Sequence, residues 1–121
     1  MSVEAIGILM GEGRLVENGE ENGWAYQKWI LPDGTKRCVL EQAYNFGAVS
    51  TNANGLSPTT PAPAFPSWAN ITLRMVCGSG YSSGNIFPLQ WLAAGVVFGS
   101  QTASVNGTGI RASLYATGTW T

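Results

Sequence analysis

The carboxylates are the side chains of this sequence best suited to acid–base chemistry, and all seven of them lie within the first 41 of its 121 residues. They are Glu4, Glu12, Glu17, Glu20, Glu21, Asp33 and Glu41. Glycoside hydrolysis needs two carboxyl groups about 5–10 Å apart, and only Asp33 and Glu41 flank one predicted turn. Because Asp33 is already explained as the turn residue of a Pro-Asp-Gly sequence, this pair is a poor candidate for hydrolysis.

The other residue types used in catalysis and metal binding are equally sparse. The chain has no histidine, so the usual general base for a serine or cysteine nucleophile is missing. Two cysteines, Cys38 and Cys77, are too few for a zinc site, and no acidic residue follows Glu41 to build a calcium site. Cys38 and Cys77 could pair, although two small buried thiols are the simpler interpretation. We expect no catalytic residue, no metal and no cofactor.

The composition indicates one all-β domain with little charge on its surface. Charged residues make up 11% of the chain, against about a quarter in typical domains, and Gly, Ser, Thr and Asn take their place. After Glu41 only Arg74 and Arg111 are charged, so we expect no nucleic-acid partner. The sequence has neither an 18-residue apolar run nor a signal-peptide pattern, so we expect no membrane insertion and no secretory signal.

The chain divides into two parts of unequal length. Residues 1–13 carry Val3, Ile6 and Met10 at helical spacing but include three glycines, and they are too short to form a stable helix alone. This segment is predicted to be a connector or a self-association stub. From Arg14 the apolar period changes to two, so residues 14–121 are predicted to form the β domain.

Period-two alternation predicts strands at 24–29, 37–46, 71–77 and 110–116. The Pro-Asp-Gly turn between the first two strands makes them a hairpin, in which Trp24, Tyr26 and Lys28 share one face. Lys28 is predicted to be a solvated strand residue. In the last strand the residues predicted to face inward are Ile110, Ala112, Leu114 and Ala116.

Three other segments give less regular signals. The proline-rich residues 47–66 are predicted to be a long loop, or an extended strand with proline at its edge. The apolar run 86–98 is predicted to be one strand, either buried on both faces or lying at an interface. An Asn-Gly pair at residues 106–107 predicts a hairpin turn. Short strands at this spacing predict an antiparallel β-sandwich or a jelly-roll-like domain.

The stretches LVENG, NGWAYQKW and DGTKRC resemble a segment of bacteriophage tail fibre and minor tail proteins, particularly those of phages with Gram-positive hosts. There, a Val-Glu-x-Gly element precedes a Trp-x-Tyr-x-Lys-Trp strand, a glycine turn and a strand that holds a cysteine. Such C-terminal domains tend to finish in Ala-x-Gly-x-Trp. The matching positions are Val16, Glu17, Gly19, Trp24, Tyr26, Lys28, Trp29, Gly34, Cys38, Ala116, Gly118 and Trp120.

The resemblance brackets residues 14–121, although the middle of the chain matches only in pattern. It departs from the family in three places. The strand after the turn reads Arg37-Cys38-Val39 where the family has an acidic residue, cysteine and an aromatic residue. Ile30 and Leu31 lengthen the approach to the turn, and two extra glutamates widen the gap before the aromatic strand.

The resemblance implies a non-enzymatic receptor-binding domain at the distal end of a phage tail, located in the virion. It implies a homotrimer that recognises a host cell-surface saccharide and contacts other tail or baseplate proteins. Sugars bind to aromatic faces and to amide and hydroxyl groups, which the predicted loops contain. The predicted saccharide-binding residues are Trp68, Tyr81, Asn70, Asn85 and Asn54, with Trp68 and Tyr81 foremost. The residues predicted to be structural are Trp24, Tyr26, Trp29 and Trp120.

Two alternatives belong to different functional classes. One is a carbohydrate-binding module of a cell-wall-active enzyme, which need not be trimeric. The other is a trimeric cap that ends a fibre without binding a ligand. A sugar platform at Trp24 or Trp29 is a further possibility, set against the prediction that these rings are part of the core.

Overall fold

The structure is a computed structural model that describes residues 13–77 and 86–121. Residues 1–12 of the predicted connector, together with Tyr81 and Asn85, lie outside these ranges. All secondary-structure elements assigned within these ranges are β-strands, which confirms the all-β class. The seven strands are β1 (Arg14–Glu21), β2 (Trp24–Ile30), β3 (Lys36–Ser50), β4 (Ala69–Cys77), β5 (Ile86–Leu92), β6 (Gly95–Ser100) and β7 (Asn106–Trp120).

The strands form one five-stranded sheet, in the order β1-β2-β3-β7-β4, and one two-stranded sheet of β5 and β6. Tight turns determine the first two antiparallel pairings. Asn22 and Gly23, which link β1 to β2, have φ of 55° and 82°, the left-handed conformation that a two-residue hairpin turn requires. Between β2 and β3, Gly34 has φ of 87°, and the Asp33 carboxylate accepts a hydrogen bond from the Thr35 N–H at 2.9 Å. Asp33 is thus a turn residue, as its sequence context indicates.

The described residues group into two compact units. Unit 1 comprises residues 13–41, 65–73 and 116–121, and unit 2 comprises residues 42–64, 74–77 and 86–115. The strands β3, β4 and β7 each contribute residues to both units.

The core of unit 1 is built on the alternation of β2. Trp24 is fully buried, and its ring centre lies 5.1 Å from that of Phe65. Trp29 is also buried and packs with Val39. Trp24 and Trp29 are five residues apart along one strand, so their side chains lie on opposite faces of the sheet. The aromatic strand therefore supplies a buried indole to each face.

The core of unit 2 is built on β6 and β7. Ile110, Ala112 and Leu114 are buried, as is Ala116 at the start of the β7 residues that belong to unit 1, so all four residues predicted to face inward do so. Phe98 of β6 is fully buried and meets Phe46 of β3 edge-on, with ring centres 5.1 Å apart.

The apolar run 86–98 is not one strand, as the sequence predicted, but a hairpin. The chain turns at residues 93–94, and β5 and β6 pair antiparallel on either side. Gly95, with φ of 149°, allows this turn, and an added Cβ there would overlap the carbonyl of Thr60. The run lacks a clear period because β6 is buried on its inner face while β5 presents apolar side chains to solvent.

Two loop predictions also change. The Asn-Gly pair is not a turn, because Asn106 and Gly107 are the first residues of β7 and the chain reverses at residues 101–104. The proline-rich segment begins inside β3 and then runs beside β6. Its contacts there include an isolated bridge from Leu56 to Gly99 and another from Thr60 to Val96. Of the two structures predicted for this segment, the extended strand at an edge describes its later part better than the long loop does.

Replacing Trp24 tests whether the aromatic strand supports the fold. Trp24→Ala should lower the free energy of unfolding by about 3–5 kcal/mol, because it removes a fully buried indole and leaves a cavity beside Phe65. Chemical denaturation followed by circular dichroism measures this, with Trp24→Phe as the control that keeps an aromatic ring. A Trp24→Ala protein as stable as the parent would show that the ring is not part of the core.

Candidate functional site

The strongest cluster of exposed chemistry lies on the face of β2 that carries Tyr26 and Lys28. The antiparallel register places Gly19 of β1 opposite Tyr26 and Glu17 opposite Lys28. The Tyr26 ring lies over Gly19, where an added Cβ would come within 2.8 Å of the phenol oxygen. Gly19 therefore gives the ring room to reach along β1 towards Glu17.

Glu17 binds both of these side chains through one carboxylate oxygen. The Tyr26 hydroxyl donates to Oε2 at 2.8 Å, and the Lys28 ammonium lies 3.1 Å from the same atom. The hydrogen bonds from Tyr26 and then Lys28 lower the pKa of Glu17. The same interaction raises the pKa of Tyr26, because its hydroxyl donates to a carboxylate. Glu17 is therefore charged at neutral pH and holds the Lys28 ammonium in place.

Three aromatic rings surround the Lys28 ammonium. Its Nζ lies 4.3 Å from the ring centre of Trp68, 5.3 Å from that of Trp120 and 5.6 Å from that of Tyr26. Separations below about 6 Å are those of cation–π interactions. Only 14% of the Lys28 side chain is exposed, so the charge is largely withdrawn from solvent. We call Tyr26, Lys28, Trp68 and Trp120 the aromatic box.

Further contacts fix the rings of the box. Trp68 meets Tyr26 edge-on, with ring centres 4.9 Å apart, and its Nε1 donates to the carboxylate of Glu21 at 3.3 Å. The Nε1 of Trp120 donates to the carbonyl of Trp29 at 3.0 Å, and the Lys36 ammonium lies 4.8 Å from the Trp120 ring centre. The rings of Tyr26, Trp68 and Trp120 are each half-buried. Part of an ordered aromatic surface therefore faces solvent.

The other predicted saccharide-binding residues do not join this cluster. Asn70 is exposed on β4 in unit 1. Asn54 is exposed in a turn of unit 2, where its N–H donates to the side chain of Asn52 at 2.8 Å. Of the five predicted residues, Trp68 alone is part of the box, and Tyr81 and Asn85 lie outside the described ranges.

From the sequence, Tyr26 and Trp120 are assigned structural roles and Lys28 is predicted to be a solvated strand residue. The prediction for Lys28 is wrong, because only 14% of its side chain is exposed and its ammonium lies among the three rings. Tyr26 and Trp120 are only half-buried, in contrast to Trp24 and Trp29. The available signal was the order Trp-x-Tyr-x-Lys, which places a cation two residues from an aromatic ring on one strand face.

The residues considered for catalysis from the sequence are not part of the aromatic box. Cys38 is a free thiol that lies buried in unit 1, and its Sγ donates to the carbonyl of Thr119 at 3.4 Å. Burial raises the pKa of this thiol to about 11, so it remains protonated and unreactive at neutral pH. Glu41 borders a depression of about 40 Å³, which has room for only a few water molecules. Across residues 13–77 and 86–121, no three metal-ligating side chains come together.

No protein-family model matches this chain, and neither a curated protein nor a solved structure matches it. Within the described ranges, no helix is long and apolar enough to cross a membrane. Function is therefore inferred from the aromatic box and from the sequence resemblance.

The pKa of Glu17 predicts how the box responds to acid. Because folding lowers this pKa, the stabilisation from Glu17 is present above the ordinary glutamate range and is lost as the pH falls through the lowered value. The melting temperature of the parent should exceed that of Glu17→Gln at neutral pH, and the difference should shrink between about pH 5 and pH 3.

Glu20→Gln is the matched control for this experiment, since Glu20 pairs with Ala25 on the other face of the same strands. It should follow the parent at every pH. A constant difference between the parent and Glu17→Gln down to the lowest pH would contradict the proposed role of the carboxylate.

Proposed function

We propose that this protein is a non-enzymatic receptor-binding domain of a bacteriophage tail that recognises a host cell-surface saccharide. The observation that supports it best is the aromatic box, a half-exposed set of three rings with carboxylates beside it. Aromatic faces stack on the C–H surfaces of sugars, while carboxylates accept hydrogen bonds from sugar hydroxyl groups. Glu17, whose side chain is 50% exposed, is positioned to accept such a bond. The resemblance to phage tail proteins supplies the biological setting, a virion tail with neighbouring baseplate proteins.

Trp68 is the main sugar-stacking residue in this proposal. The sequence predicts it as a binding residue because it follows a proline-rich segment, and in the structure it is half-buried rather than part of the core. Its indole is held by the ammonium of Lys28 and the carboxylate of Glu21. A ring that is already ordered loses little conformational freedom when a ligand stacks on it. Asn70, two residues further along, contributes an exposed amide.

We also propose that the domain is a β-sandwich or jelly-roll-like module that assembles as a homotrimer. The support for assembly is the outer face of the β5–β6 hairpin. Phe87 of β5 pairs with Gly99 of β6, and Leu56 forms an isolated bridge to Gly99 from its other side. Leu89 also lies next to Gly99, because a side chain added at position 99 would contact it. Phe87, Leu89 and Leu56 are 37%, 51% and 43% exposed. Contiguous exposed apolar side chains commonly mark an interaction surface, and a cyclic oligomer covers one such surface on each copy.

The oligomeric state gives a direct test. Light scattering should return three times the monomer mass of 12.8 kDa. Leu89→Glu should convert the trimer to a monomer, because it places a charge on the apolar face of the hairpin. Leu73→Glu, at an equally exposed leucine of β4 in unit 1, is the control that should remain trimeric. A monomeric parent protein, or equal disruption by both changes, would contradict the proposed interface.

Saccharide recognition is tested on a panel of purified polysaccharides from Gram-positive cell walls. Trp68→Ala should weaken binding at least about tenfold, as expected for a central aromatic contact, while the oligomer stays intact. The control is Tyr44→Ala, which removes a half-buried ring of unit 2 that packs against Phe46. No binding by a folded parent trimer would favour the structural cap, and unchanged binding by Trp68→Ala would exclude the box as the site.

A further inference from the structure

The three rings of the aromatic box come from three separate parts of the chain. Tyr26 belongs to β2, Trp68 to the segment just before β4, and Trp120 to the end of β7. The Lys28 ammonium lies within 6 Å of all three ring centres. One positive charge therefore lies close to rings from three segments of the chain.

The Lys28 side chain has properties of an internal structural cation rather than of a surface lysine. Its ammonium is paired with Glu17 at 3.1 Å, and its side chain is 14% exposed. Lys36 provides a contrast, because it is exposed and, among the described residues, its ammonium lies over the ring of Trp120 only. A cation–π interaction strengthens when the cation is withdrawn from water, so Lys28 should have the larger effect on the rings.

We propose that Lys28 is a positioning residue that orders Trp68 and Trp120 into one binding surface. Its ammonium, held by the Glu17 carboxylate, attracts the face of each ring and restricts its rotation. Ligand affinity then depends on a side chain that need not touch the ligand. This inference rests on the proposed saccharide-binding function only for that last step, since the ordering of the rings can be measured without a ligand.

The ordering is tested by fluorine NMR on the full chain labelled with 5-fluorotryptophan. Five tryptophans give five resonances, assigned by single tryptophan-to-phenylalanine changes. Lys28→Met should shift or broaden the resonances of Trp68 and Trp120 while those of Trp24 and Trp29 keep their positions. Lys28→Arg should restore the parent spectrum, because a guanidinium can also stack on the rings and pair with Glu17. Lys36→Met should affect Trp120 alone.

The outcome that overturns the inference is a Lys28→Met spectrum in which Trp68 and Trp120 match the parent. A general loss of resonance dispersion, including that of Trp24, would also overturn it, because Lys28 would then support the whole of unit 1 rather than the box. The half-exposed position of Glu17 makes such unfolding unexpected, since its carboxylate can be solvated once the ammonium is removed.

Binding measurements on the same variants test the functional step. For a polysaccharide that the parent binds, Lys28→Met should weaken affinity about fivefold, Lys28→Arg should recover it, and Lys36→Met should have a smaller effect. Unchanged affinity in Lys28→Met would overturn the inference while leaving the proposed function intact. If the parent binds no polysaccharide, the proposed function fails, and the NMR result alone decides whether Lys28 orders the rings.

Discussion

The antiparallel register of β1 on β2 is the constraint on which the aromatic box depends. It is set by the two-residue turn at Asn22 and Gly23, whose positive φ values fit the twist of a tight hairpin. This register places Glu17 opposite Lys28. A slip by one residue would turn the Glu17 side chain to the other face of the sheet. The ammonium would lose its carboxylate, and the rings around it would lose a fixed charge. The β1–β2 register also has an irregularity between Leu15 and Glu17, but it lies on the far side of Glu17 from the turn and so leaves the Glu17–Lys28 pairing unchanged.

The residues on which the proposed phage-tail resemblance rests all fall in unit 1, at positions 16–38 and 116–120. Many of them have a specific physical role there. Gly19 makes room for the Tyr26 ring, and Gly118 is required because an added Cβ would overlap the carbonyl of Asn70. Cys38 is buried beneath the end of β7, with its thiol donating to a backbone carbonyl. These positions thus take part in packing contacts within unit 1.

Period-two alternation was a reliable guide wherever one face of a strand is buried and the other is not. It located most of β2, β3 and β4 and the inward face of β7, although the strands extend one to four residues beyond several predicted ends. It failed for the hairpin 86–100, because apolar residues occupy both its inner and its outer face and because the two turn residues, Ala93 and Ala94, carry no turn signal of their own. The Asn-Gly pair failed because turn propensity is local, and pairing of the preceding residues with Thr51 and Asn52 determined where the chain reverses.

The aromatic box could be predicted only in part. The loop context of Trp68 predicts a binding residue, and the alternation of β2 predicts that Tyr26 and Lys28 share one strand face. The meeting of these side chains with Trp120 depends on the order of strands in the sheet, which brings the end of β7 next to β3. Nothing local to Trp120 or Trp68 reveals that arrangement. The assembly of the box therefore depends on the order of strands in the sheet, whereas the local sequence predicts where some of its separate residues lie.

The confinement of every acidic residue to the first 41 positions has a consequence for proton uptake. Unit 2 contains two arginines and no acidic residue, and arginine stays protonated at all ordinary pH values. The carboxylates, which are the side chains that bind protons in acid, therefore all lie within residues 1–41 and none in unit 2. The chain also lacks histidine, the side chain whose ordinary pKa lies in the physiological range. A potentiometric titration from neutral to acidic pH would consequently record side chains of residues 1–41 and none of unit 2.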